Sequence, residues 1–330
     1  MTATGDLNLP VEGHLPSLGG ATAWLNSPPL SPAALRGRVV LVDFCTFTCI
    51  NWLRTVPYIR AWARKYADDG LVVLGVHTPE FEVEQDLENV RRALAERELE
   101  HPIAVDNDYA VWDAFSNHYW PALYFVDAEG AIRDHHYGEG RYEESERVIQ
   151  RLLAAAGATG LESGLVSVEG SGAEAPADWD DVRSAETYVG YAQAEGFASP
   201  GEPGYDRAHA YAVPDRLHLN QWALAGDWTI GRQTATSNEA GGRIAYRFHA
   251  RDLHLVLGPR EPGTTVRFRV TLDGAPPAGA DGTDVDADGN GAVNEPRLYQ
   301  LIRQREPVDD RTFEITFEEP GVQAYVFTFG

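Results

Sequence analysis

Residues 39–67 read as a buried strand, a short turn and a helix in immediate succession, and both cysteines of the chain sit at that junction. "VVLVDF" (39–44) is a short apolar run, the pattern of a strand covered on both faces. Residues 50–67 then carry Trp52, Leu53, Val56, Ile59, Trp62, Ala63 and Tyr66 at helical spacing. Cys45 and Cys49 bracket Thr46-Phe47-Thr48 between the two elements. A cysteine at a helix N-terminus meets free N–H groups and the positive end of the helix dipole. That position favours the thiolate and makes Cys49 the candidate nucleophile.

The pattern around this unit is an α/β layer. "LVVLGVHT" (71–78) is a second buried strand, residues 83–99 a charged amphipathic helix with a solvated face, "PIAVD" (102–106) a short strand and 108–117 a short helix. "ALYFVD" (122–127) and "IRDHHY" (132–137) flank Glu129-Gly130, a hairpin signal. "YEESERVIQRLLAAAG" closes the unit, with Gly157 as C-cap. The order is β-α-β-α-β-α-β-β-α. Residues 157–182 are rich in Gly, Ser, Ala and acid and read as a flexible linker. From about residue 184 the period becomes two: "RIAYRF", "DLHLVLG", "TVRFRVTLDG", "TFEITFEE" and "VQAYVFTFG" alternate between Gly- and Pro-containing turns. Such strands predict an all-β sandwich or jelly roll. The expected division is 1–156, 157–182 and 183–330.

Composition excludes several classes. The chain carries 50 acidic against 27 basic residues, a formal net charge of -23, which repels nucleic acid and anionic lipid. No apolar run reaches the roughly 18 residues of a membrane span. The first residues show no basic region followed by an apolar one, so a cytoplasmic location is expected. Two cysteines in 330 residues cannot form a disulfide scaffold, and paired thiols in a reducing compartment are more often catalytic. No cofactor is expected.

"VVLVDF", the following Cys49, Pro57 eight residues on, and "WPALYFVD" together resemble thioredoxin. The resemblance implies that Asp43 is the buried acid behind the site, Cys49 the attacking cysteine, and Pro121, after Trp120, a cis-proline beside it. The departure is at Cys49-Ile50-Asn51-Trp52, where thioredoxin has Cys-x-x-Cys. Cys45 stands instead where thioredoxin has a tryptophan. A Cys45–Cys49 disulfide needs Cα atoms within about 7 Å, whereas an extended step would separate them by about 13 Å. "TCINWLRTVPYIRAWARKY", "GVHTPEFEVE", "DNDYAVWDAFSNHYWPALYFVD", "QWALAGDW" and "RLYQLIRQ" are similar to the soluble part of DipZ-type proteins. That resemblance implies a redoxin domain followed by a β-sandwich like a carbohydrate-binding module, and it suggests an extracytoplasmic setting.

The function expected is thiol-disulfide oxidoreduction: Cys49 attacks a protein disulfide or a small oxidant, and Cys45 or an external thiol resolves the product. Asp43 would shuttle protons, and Trp52, Arg54, Trp120 and Pro121 would line the substrate groove. Two alternatives stand beside it. Thr46-Phe47-Thr48-Cys49 resembles the Thr-x-x-Cys of peroxiredoxins, with Arg54 the nearest thiolate-stabilising arginine, and a lone reactive thiol can pass through sulfenic acid. The other alternative is a binding scaffold, with Trp222 and Trp228 stacking on a carbohydrate or simply filling the core. Residues 284–295 match a calcium-loop pattern through Asp284, Asp286, Asp288 and Glu295, but Gly291 and Pro296 argue for an acidic hairpin. His77 reads as structural, or as a neighbour of the site.

Overall fold

The computed structural model describes residues 9–330; residues 1–8, part of the stretch read for targeting signals, lie outside them. The chain divides into two compact units, Met1–Glu174 and Ala175–Gly330.

The first unit is a seven-stranded mixed sheet with helices on both faces. Its elements are β1 (Gly13–His14), β2 (Ala23–Leu25), β3 (Val39–Cys45), α1 (Ile50–Lys65), β4 (Leu71–His77), α2 (Leu87–Glu96), β5 (Ile103–Val105), α3 (Ala110–Ala114), β6 (Ala122–Val126), β7 (Ala131–Tyr137) and α4 (Tyr142–Ala155). The strand order is β1-β7-β6-β3-β4-β5-β2, with β3, β4 and β5 parallel and β6 antiparallel to β3. Central β3 is buried along its whole length. Alternation splits its side chains: Val40, Val42 and Phe44 pack with Val111, Trp112 and Phe115 on one face. Val39 and Leu41 pack with Ile59, Trp62, Ile149 and Leu152 on the other. Burying each such side chain contributes about 1.5–3 kcal/mol. Asp43 and Cys45 continue that second row, so the buried acid and the first cysteine are delivered by the strand's period of two.

Three expectations are revised here. The helix expected over 83–99 is a 3-10 turn, Glu82–Gln85, followed by α2, whose N-cap Asp86 accepts a hydrogen bond from the Glu88 N–H. The helix over 108–117 shortens to α3. The first part of the expected linker is not free: Leu161 and Val166 pack on the first core, the Val166 N–H donates to Glu146 at 2.8 Å, and Glu174 takes a two-point ion pair from Arg60. Two apolar anchors and two carboxylate contacts outweigh its Gly- and Ser-rich composition. Gly157, at φ +95°, follows the end of α4, as a C-terminal glycine should.

The second unit is an all-β sandwich of antiparallel strands: β8 (Thr187–Tyr188), β9 (His209–Tyr211), β10 (Trp222–Ile230), β11 (Ala235–Ser237), β12 (Arg243–Phe248), β13 (Asp252–Pro259), β14 (Val266–Leu272), β15 (Asn290–Val293), β16 (Arg297–Arg303), β17 (Arg311–Phe317) and β18 (Val322–Phe329). One layer runs β15-β14-β17-β12, the other β11-β18-β13-β16. β10 serves both, pairing with β12 through Trp222–Ala225 and with β9 and β11 beyond it. The change of partner falls at Gly226, whose φ of +89° a side chain would disfavour.

Trp222 and Trp228 are fully buried, their indole N–H groups donating to the carbonyls of Glu195 and Ala225. They are core residues, not a stacking platform for sugar. The acidic stretch is a turn that leads into β15, which pairs with β14, rather than a hairpin. Asp284 is held by Arg297 and the Gln300 N–H, Asp286 closes the turn by accepting from Asp288 and Asn290, and Glu295 pairs with Arg297. Among the described residues no group of three or more His, Cys, Asp or Glu side chains could hold a metal, and no helix is long and apolar enough to cross a membrane.

Candidate active site

The site forms where β3 ends and α1 begins. Cys49 is the N-cap of α1, partly exposed, with no side-chain capping bond; its Sγ lies 3.8 Å from the carbonyl oxygen of Trp120. The Trp120–Pro121 peptide is cis. Trp120 is fixed from two sides: its indole N–H donates to the Thr78 carbonyl at 3.1 Å, and its ring packs 4.3 Å from that of Trp112. Next to it in sequence, exposed Tyr119 packs 4.9 Å from exposed Tyr137. Cys49 and Trp120 are thus brought together at a partly exposed position with Pro121 buried behind them, while the other residues expected at the site are buried.

Trp52 is 1% exposed and does not line a groove. Its indole N–H donates to Asp43 Oδ2 at 3.0 Å. The ring therefore fills the position where a resolving thiol would stand, and it takes the contact of the buried acid. Burial pushes the Asp43 pKa up to about 7, partly opposed by the Trp52 hydrogen bond. Asp43 Oδ1 has no hydrogen-bond partner. Arg54 is also buried and its guanidinium is directed to Glu139 at 2.9 Å. That ion pair removes it from the groove and from the thiolate-stabilising role of the peroxidase reading.

Cys45 is 1% exposed, a free thiol whose Sγ donates to the Val76 carbonyl at 3.5 Å. Burial first, then the charges of Asp43, Glu84 and Cys49, push its pKa well above the ordinary thiol value. A neutral, enclosed thiol is a poor nucleophile. His77 lies opposite Cys45 in the β3–β4 register and stacks on Phe47 at 5.8 Å. Burial lowers its pKa to about 4, so it is neutral at pH 7.

Glu84 is the residue the sequence reading missed. It sits in the charged stretch read as a solvated face, yet it is 0% exposed. Its Oε1 accepts the Thr48 hydroxyl at 2.7 Å and the Thr48 N–H at 3.2 Å; its Oε2 accepts the N–H groups of Glu80 and Phe81 at 2.7 and 2.9 Å. Burial raises its pKa, and the Thr48 hydroxyl with the N–H groups of Phe81 and Glu80 pulls the other way. The available signal is Thr48. A fully buried threonine in a turn needs an acceptor, and Thr48 finds it in Glu84, whereas the Thr46 hydroxyl has no hydrogen-bond partner among the described residues.

Comparison with known proteins finds thiol-disulfide oxidoreductases among the relatives. The Bacillus subtilis thiol-disulfide oxidoreductase YkuV is 32% identical over 140 residues, 42% of this chain and 94% of that protein. The chain belongs to the thioredoxin-like family of thiol-disulfide oxidoreductases. As a member of that family it is DipZ-like: Mycobacterium bovis protein DipZ is 34% identical over 96% of this chain, which spans 43% of DipZ. The chain thus covers less than half the length of that relative. A family model described as thioredoxin like C-terminal domain matches residues 184–330. A solution structure of a thioredoxin-like protein in the oxidized form, 32% identical, covers 44% of this chain and 97% of its own at a TM-score of 0.41.

Proposed function

We propose that this thioredoxin-like oxidoreductase exchanges thiols and disulfides through Cys49 alone and is resolved by an external thiol. The observation that carries the reading is what stands at the two positions from which a thiol could resolve Cys49 internally. Position 52 holds a buried tryptophan bonded to Asp43, and Cys45 is a buried thiol turned to the Val76 carbonyl.

The cycle has two displacements. The Cys49 thiol gives its proton to solvent, and the thiolate Sγ attacks one sulfur of a substrate disulfide. The substrate S–S bond breaks, its electron pair leaves with the second sulfur as a thiolate, and a mixed disulfide remains on Cys49. An external thiolate then bonds to the substrate sulfur, and Cys49 leaves as the thiolate. The Trp120–Pro121 segment, beside Sγ, supplies the edge along which the substrate backbone lies. Thiol- or disulfide-bearing proteins are the partners this chemistry suits.

The test is intact mass with thiol alkylation on wild type, Cys45→Ser and Cys49→Ser after exposure to a glutathionylated peptide. The expected result is one mixed-disulfide adduct on wild type and Cys45→Ser and none on Cys49→Ser. Loss of both thiols from wild type with no adduct would replace this cycle by a Cys45–Cys49 disulfide.

A further inference from the structure

We propose that Glu84 is a positioning residue for Cys49, clamping the turn that carries the cysteine through both polar atoms of Thr48. The inference rests on the exchange reaction at Cys49 proposed above. Its basis is that Cys49 begins α1 without a side-chain cap, so the backbone just before it is held by something else. That backbone is Thr48, and its N–H and hydroxyl both end on one oxygen of Glu84. The other oxygen is held by two further N–H groups, from Glu80 and Phe81. Three N–H groups and the Thr48 hydroxyl give the carboxyl four donors, which favour its ionised form against the burial that raises its pKa. A carboxylate with this many donors is held rigidly, and it passes that rigidity to the next residue in the chain.

The clamp also places a buried negative charge next to the reactive turn. Other titratable groups face this region. Asp43 and Cys45 come from β3, and neutral His77 from β4. Glu80 precedes the 3-10 turn, and Tyr109 precedes α3 and feels both Glu84 and Glu80. Of these, Glu84 alone is bonded to the residue preceding Cys49. A carboxylate there disfavours the thiolate, so its removal lowers the pH at which Cys49 ionises.

The experiment uses the full chain with Glu84→Gln, Thr48→Val and the double variant. Two readouts are taken: the pH profile of Cys49 alkylation by iodoacetamide, located by mass spectrometry, and the exchange rate with a glutathionylated peptide. Glu84→Gln keeps the shape, removes the charge and turns an NH₂ toward N–H donors. It is expected to lower the exchange rate about tenfold or more and to move the alkylation midpoint down by about one pH unit. Thr48→Val is expected to slow exchange several-fold with its midpoint in place, and the double variant to be no worse than Glu84→Gln, because both cut one clamp. A Glu84→Gln protein within about twofold of wild type and with an unmoved midpoint would overturn the proposal, as would effects that simply add. If Glu84→Gln does not fold, Thr48→Val decides: exchange within about twofold of wild type overturns the clamp. If wild type exchanges with no disulfide, the exchange reading itself fails, and the alkylation midpoint still tests the clamp.

Discussion

Asp43 and Asp252 are each 1% exposed, and the fold treats them in opposite ways. Asp252, at the start of β13, receives both guanidinium groups of Arg251 and Arg303 at 2.7–3.0 Å, with Gln300 at 3.5 Å. Asp43, near the end of β3, receives one neutral indole N–H and leaves an oxygen unpaired. The β-sandwich neutralises its buried carboxylate, whereas the thioredoxin-like unit leaves its own poised near neutrality. Full satisfaction marks an acid that holds structure. Incomplete satisfaction leaves Asp43 an acid whose proton can come and go near pH 7.

Three substitutions break or sharpen this contrast. The largest effect is expected at Asp252→Ala, which strands two arginines over a buried position and should destabilise the protein by about 3–4 kcal/mol, read as a lowered midpoint in urea unfolding. A neutral outcome would mean that the two guanidinium groups find solvent as easily as they found the acid.

Asp43→Asn is expected to act in the other direction. In the fold Asp43 holds its proton up to about pH 7, against a value of 3.8 for an ordinary aspartate. Between those values the folded state binds more protons than the unfolded chain, so wild-type stability falls as pH rises, and the loss is complete above pH 7. The variant has no such titration. It should match wild type near pH 3.5 and exceed it at pH 8, by up to about 4 kcal/mol. Parallel stability curves for the two proteins would show that Asp43 does not titrate in this window.

The smallest effect is expected at Trp52→Phe, which keeps most of the ring volume and removes the one hydrogen bond to Asp43. The cost should be about 1 kcal/mol, with the pH dependence of stability extending further upward. An unchanged pH profile would assign the Asp43 environment to burial alone.

Much of this was legible in the chain. Buried strands without alternation, helical spacing after the cysteines, and the switch to period two near residue 184 gave both units in order. The Trp-Pro step beside Cys49 was legible through its resemblance to thioredoxin. What escaped has specific causes. Strand β10 contains Gly226 and serves two sheets, so its pattern is broken where its partners change. β1 and β2 are too short to show a period. The inward direction of Trp52 and Arg54 is not legible, because proximity in sequence to Cys49 says nothing about which side of α1 faces inward. Glu84 is hidden because a buried glutamate and a solvated one look alike among charged neighbours; only its tertiary partner, Thr48, distinguishes it.

The tryptophan at position 52 has a kinetic meaning for the proposed cycle. A thiol on that turn would meet the mixed disulfide at a local concentration set by geometry, independent of the surroundings. With an indole there, the second displacement becomes bimolecular, and its rate follows the amount of free thiol in solution. Turnover would then rise and fall with the reducing capacity of the medium, making the protein's output a measure of the thiol pool around it.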